Sequence, residues 1–210
     1  EIQMVNLFAL GLSGMMKFPQ NSGNGKLALE SLKKGIEACS EMGIPSVFIP
    51  CVFSGRIENE FDMDTVASYL KYADPIAKEH GVNLLFESFM GYDKTMQLYE
   101  KAGYCFKLCY DSLNPIKYGF GDAVQELRQY EKSMIHTIHI KDCANDFQSA
   151  ELIGKGRGKF NEIAEVIIDI GYTGWIVNEN NYFRGELAKH RDPQDMIRYD
   201  LETFRNTFQN

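Results

Sequence analysis

Residues 82–111, VNLLFESFMGYDKTMQLYEKAGYCFKLCYD, decide the fold. An apolar run, VNLLFE (82–87), leads into a segment of helical period, YDKTMQLYEKAG (92–103), and then into a second apolar run, CFKLCYD (105–111). Gly103 falls where the helix should stop, at a position that favours a left-handed cap. Two short apolar strands joined by a whole helix must run parallel, because antiparallel neighbours need only a tight turn.

The unit recurs on both sides. IQMVNLFA (2–9) and SVFIPC (46–51) read as strands upstream, and IHTIHIKD (135–142) and WIVNE (175–179) downstream, so six strands are predicted. In KLALESLKKGIEACSEMG (26–43) the residues Ala28, Leu32, Ile36 and Cys39 share one face, and Gly43 stands as the stop signal that Gly81 and Gly171 repeat. FNEIAEVIIDIG (160–171) has one apolar stripe, Phe160, Ile163, Val166, Ile167 and Ile170. A final helix opens with Asp192 as N-cap and Pro193 at the first helical position. Pro75 predicts a kink or break near Asp74.

This order leaves a doubly wound sheet or a closed barrel. The loop after the first strand, ALGLSGMMKFPQNSGNGK (9–26), has neither G-x-G-x-x-G nor a Walker pattern, which weakens the nucleotide-binding alternative. The 210 residues, 44% hydrophobic and 12% aromatic, suit a single domain over 1–210. A net charge of −7 disfavours nucleic acid and anionic membranes as partners and leaves small molecules. The five cysteines, with no C-x-x-C pair, read as reduced thiols of a cytoplasmic protein. No run spans a bilayer, and EIQMVNLFAL lacks the basic flank of a signal peptide. The chain opens with Glu1, inside what reads as a strand, which suggests that the natural start lies elsewhere.

Four consecutive strands end on a metal-competent side chain: Glu87, Asp111, His139 and Glu179. Any one of them could be a helix cap; their recurrence is the signal. At the C-terminal strand ends of a narrow barrel, inward residues converge. Three carboxylates and an imidazole there would repel one another unless a divalent cation neutralised them. An oxygen-rich set with one nitrogen favours Mn²⁺, with Mg²⁺, Co²⁺ or Zn²⁺ as alternatives. His139 shares parity with Ile135, Thr137 and Lys141, which points it inward, while His136 takes the helix-facing side in a structural role. Asp142, just past the strand, is expected to orient a loop or His139.

In order and spacing, GVNLLFES (81–88), CYDSLN (109–114), HIKD (139–142) with IGKGRGKF (153–160), and GYTGWIVNE (171–179) resemble the signature segments of the xylose isomerase-like TIM-barrel superfamily. Within it the ketose 3-epimerases and pentulose-5-phosphate 3-epimerases are most similar. The resemblance implies a TIM (β/α) barrel with six of its eight βα units in this chain, the first two missing. It carries the metal-ligand roles onto Glu87, Asp111, His139 and Glu179. It also implies substrate contacts for Asp93, Asn114 and Arg157, although Asp93 could equally cap a helix and Arg157 could be a solvated loop charge. Asn114 departs from the family's usual D-x-x-H, and that departure bears on which sugar binds.

The implied activity is a cytoplasmic, metal-dependent isomerase of a sugar or sugar phosphate. Glu87 or Glu179 would take the proton next to a ketose carbonyl, and the other would return one to a cis-enediolate, with C3 epimerisation favoured. Dehydration by the same site, or a non-catalytic sugar- or metal-binding partial barrel, are the alternatives. The superfamily's DNA-cleaving branch holds its zinc with several more histidines than the four here. The open edges of six strands favour a homo-oligomer.

Overall fold

The computed structural model describes residues 1–146, 150–183 and 187–209. Among these residues the strands are β1 (Val5–Asn6), β2 (Ser46–Pro50), β3 (Asn83–Glu87), β4 (Lys107–Asp111), β5 (Ile135–Ile140) and β6 (Trp175–Asn178). They follow one another in chain order, and each described pairing is parallel. The helices are α1 (Phe8–Ser13), α2 (Gly23–Glu41), α3 (Glu60–His80), α4 (Tyr92–Lys101), α5 (Asn114–Tyr118), α6 (Ala123–Gln129), α7 (Phe160–Asp169), α8 (Leu187–His190) and α9 (Pro193–Phe208). This is the strand–helix repeat of a TIM barrel, six units of the usual eight. No helix of the described residues is long and apolar enough to cross a membrane.

The chain divides into two compact units, Glu1–Cys109 and Tyr110–Asn210, with β4 contributing residues to both. In the first unit, Ala28, Leu32, Ile36 and Cys39 of α2 are fully buried, as their spacing predicts. Each large apolar side chain there contributes about 1.5–3 kcal/mol. β2 and β3 are in register, with Phe48 beside Leu85 and Pro50 beside Glu87. Phe48, Leu85 and Cys109 pack into one cluster with Met4. The alternate residues Val47, Ile49, Leu84 and Phe86 are buried on the opposite face, which explains why these strands read as continuous apolar runs. The stop glycines Gly43, Gly81, Gly103 and Gly171 all have positive φ, between 60° and 74°.

Two expectations are corrected here. The run 2–9 is a strand only at Val5–Asn6, and from Phe8 it turns into α1. That helix packs on the end of β2 so closely that a Cβ at Gly11 would lie 2.5 Å from the Pro50 carbonyl. Helix α3 runs unbroken through Pro75. Burial of Val66, Ala67 and Leu70 before the proline and of Ala77 after it offsets the roughly 3 kcal/mol that an interior proline costs.

In the second unit, β5 and β6 are in register with His139 beside Val177 and Ile140 beside Asn178. The end of β4 joins them, because the Ser112 N–H donates to the His139 carbonyl at 3.0 Å. Helix α7 buries Phe160, Ile163, Val166 and Ile167. Asp192 caps α9 by accepting from the Gln194 N–H at 2.7 Å. β6 is only partly covered, with Trp175 49% exposed, as suits a strand with a single described neighbour.

Candidate metal centre

In the first unit, Glu87 ends β3 and is buried. It lies two residues beyond Leu85 and so shares the face of the Phe48–Leu85–Cys109 cluster. Its carbonyl accepts from the Cys51 N–H at 3.4 Å. Burial, reinforced by the nearby Glu87 and Asp62 charges, pushes the Cys51 thiol up to about 12, so it supplies no thiolate beside the carboxylate. Asp93 is exposed in the first turn of α4, where its charge faces the positive end of the helix.

In the second unit, the strand ends place three of the predicted residues in one group. Asp111 is buried; its Oδ1 accepts from the Leu113 N–H at 2.8 Å, and its Oδ2 lies 2.5 Å from Lys141 Nζ. His139 is buried, with Nδ1 3.1 Å from Glu179 Oε2. Lys141 Nζ also reaches Glu179 Oε2 at 2.9 Å. Burial alone would raise the Glu179 carboxyl, but the hydrogen bond from His139 and the Lys141 charge outweigh it and hold the group at about 2. Oxygen donors from Asp111 and Glu179 with a nitrogen from His139 have the chemistry that a divalent cation needs. Sequence reasoning placed Lys141 on the right face but missed that its ammonium joins two of these carboxylates.

Asn114, His136 and Arg157 also belong to the second unit. Asn114 is buried at the start of α5, three residues after Asp111. His136 is half-buried, with Nδ1 3.0 Å from Thr137 Oγ1. Arg157 is exposed, and its N–H donates to the Cys143 carbonyl at 2.9 Å.

The glycines around Arg157 do allow close approach, and what approaches is Asp142. The Asp142 carboxylate accepts from the N–H groups of Cys143 (2.8 Å), Gly154 (2.9 Å), Gly156 (3.1 Å) and Gly158 (2.7 Å). A Cβ at Gly156 would collide with this carboxylate and with the Cys143 carbonyl, and one at Gly158 with the carboxylate and the Lys141 carbonyl. The glycine amides of the loop are therefore engaged by the protein's own anion, and the side chains of Lys155 and Arg157 are exposed.

A second set of residues went unseen in the sequence. The Asn178 and Asn180 side chains, on either side of Glu179, both donate to the buried Asp200 on α9. One signal was available: Asp200 interrupts the Met196–Phe204 apolar spacing of α9 with a charge.

A family model described as xylose isomerase-like TIM barrel matches residues 5–207. A curated relative, the 2-epi-5-epi-valiolone 7-phosphate 2-epimerase of an Actinoplanes species, is 29% identical over 173 residues. The alignment covers 80% of this chain, and the chain spans 60% of that relative's length. Among solved structures, L-ribulose 3-epimerase superposes with a TM-score of 0.79 at 15% identity, covering 98% of this chain and 74% of its own. The IOLI protein with a binding zinc atom superposes with a TM-score of 0.73 at 18% identity, covering 98% of this chain and 75% of its own. At these identities the two structures bear on the fold.

Proposed function

Because the chain belongs to the xylose isomerase-like TIM-barrel family, we propose that it is a metal-dependent sugar or sugar-phosphate epimerase or isomerase, with residues 1–210 acting as one barrel domain. The observation that carries this reading is the group of Asp111, His139 and Glu179 at the C-terminal ends of β4, β5 and β6. We add Glu87, the buried carboxylate that ends β3, as the resemblance of GVNLLFES to the family's ligand-bearing segments implies. Mn²⁺ suits a carboxylate-rich set best, and the bound zinc of a structural neighbour keeps Zn²⁺ in view.

A bound cation would supply Lewis-acid polarisation of a ketose carbonyl and its neighbouring hydroxyl. Glu179, held ionised by His139 and Lys141, takes the proton from the carbon beside the carbonyl. Glu87 returns a proton to the opposite face, and the carbon is inverted. Asn114 orients substrate hydroxyls, while Asp93 and Arg157 meet the substrate at the rim. The five cysteines, all free thiols, accord with a reducing, cytoplasmic setting.

A second substrate class is favoured by the similarity to a cyclitol-phosphate 2-epimerase. Because Asp142 engages the glycine amides, a phosphate would be met by the Lys155 and Arg157 side chains. The test is proton NMR of Mn²⁺-loaded protein in deuterium oxide with a panel of ketoses and ketose or cyclitol phosphates. Loss of the proton next to the carbonyl is the expected result. A panel that retains every such proton would leave the binding-only alternative in its place.

A further inference from the structure

Asp200, on the last helix, has no part in the chemistry proposed above, yet its carboxylate is fully buried and collects donors from two separate loops. Its Oδ1 accepts from the Ile153 N–H at 2.9 Å, on the segment after β5. Its Oδ2 accepts from the Tyr182 hydroxyl at 2.6 Å and from Asn180 Nδ2 at 2.8 Å, both on the segment after β6, and, more loosely, from Asn178 Nδ2 at 3.4 Å, at the end of β6. The contacts continue outward. Asn180 Oδ1 accepts from the Asp142 N–H at 2.9 Å, and Asn180 Nδ2 also reaches the Glu151 carbonyl at 2.9 Å. Asp142 in turn holds the amides of Gly154, Gly156 and Gly158.

The result is one connected polar network with Asp200 at its centre. One arm fixes both sequence neighbours of Glu179; the other reaches, through Asn180 and Asp142, the loop that carries Lys155 and Arg157. Stability alone gives no reason for this choice. An apolar residue between the buried Met196 and the half-buried Phe204 would fill this position of α9 without desolvating a charge. A carboxylate there does what no apolar side chain can, since it sets the geometry of four donors at once.

We propose that Asp200 is a positioning residue: from α9 it holds Glu179 in the geometry for metal binding and proton transfer and, through Asn180 and Asp142, fixes the substrate-facing loop 153–158. The inference rests on the reading of Glu179 as a metal ligand and base. Its mechanism is indirect, because Asp200 acts on the residues flanking Glu179 and leaves the reacting atoms to others.

The test uses the 210-residue chain with Asp200→Asn, which keeps the shape but replaces one acceptor oxygen with a donor. Leu127→Ala, in the buried core of the second unit, serves as a control for general loss of stability. Mn²⁺ affinity is read by calorimetry, and amide hydrogen exchange is read at Glu179, whose N–H donates to the Ile140 carbonyl at 2.9 Å. In Asp200→Asn, Mn²⁺ affinity is expected to fall about tenfold or more, the range seen when groups behind metal ligands are removed. The Glu179 amide is expected to exchange faster than in Leu127→Ala, which keeps the Mn²⁺ affinity of the parent chain. Tyr182→Phe removes a single donor and gives the same pattern more weakly, which keeps the test decisive if Asp200→Asn does not fold. A folded Asp200→Asn with unchanged Mn²⁺ affinity, or with Glu179 exchange no faster than in the control, overturns the proposal. If the parent chain binds no Mn²⁺, the metal reading falls; faster exchange at Glu179 then still supports the positioning role, and unchanged exchange removes it.

Discussion

Lys141 sets the electrostatics of the second unit's strand ends. One ammonium joins a buried carboxylate, Asp111, to a half-exposed one, Glu179, beside the imidazole of His139. The consequence for Glu179 is measurable. Its folded-state pKa lies below the ordinary 4.5, at about 2, so its contribution to stability is present above 4.5 and is lost as the pH falls through about 2. Urea midpoints measured across that window should fall less steeply in Glu179→Gln than in the parent chain. The two strand histidines separate the site from the scaffold. On the proposed reading, His139→Ala should weaken Mn²⁺ binding about tenfold or more, whereas His136→Ala should cost stability on the order of 1–3 kcal/mol and leave Mn²⁺ affinity nearly intact. Calorimetric titration of both variants checks this, and the reverse pattern would mean that the parity of β5 has been misread. The four candidate ligands were legible because each is a polar residue that closes an apolar run. The partner of each was not, because a contact such as Lys141 to Asp111 has no trace in sequence spacing.

At the scale of elements, the helices and strands were read from period alone, and their misreadings have local causes. The first strand was overextended because FALGLS is as apolar as a strand, and only its close packing on β2 makes it a helix. The expected break at Pro75 fails because the packed faces on either side of it hold α3 continuous. The loop IGKGRG shows the opposite situation, a sequence pattern whose cause is tertiary. Its alternating glycines are required by one carboxylate, Asp142, lodged against three of the loop's own amides. Gly156→Ala places a Cβ against the Cys143 carbonyl and the Asp142 side chain, so it should destabilise the chain by about 1–3 kcal/mol and loosen the loop. Urea denaturation measures the cost, and proteolysis within 150–159 reports the loosening. An alanine accepted without loss would mean that Asp142 does not hold the loop as described.

At the scale of the molecule, six βα units of TIM-barrel type carry the candidate ligands at the ends of β3, β4, β5 and β6. A cation that binds only the folded chain should raise its stability by mass action, about 2.7 kcal/mol at a concentration one hundred times the dissociation constant. The melting temperature should therefore rise with added Mn²⁺ and return on chelation, and a curve indifferent to Mn²⁺ would remove the metal from the proposed function. The sequence by itself determined the parallel βα repeat, the helix stops and the strand-end donors, because period, capping and the polarity of a strand's last residue belong to contiguous residues. Only the tertiary structure decided that Lys141 joins Asp111 to Glu179, that Asp142 fills the glycine loop, and that Asp200 gathers the loops after β5 and β6. Those contacts join residues from as few as 12 to as many as 47 positions apart. A hydrogen bond over such a separation follows no period along the chain, so the chain must be folded before its partners can be known.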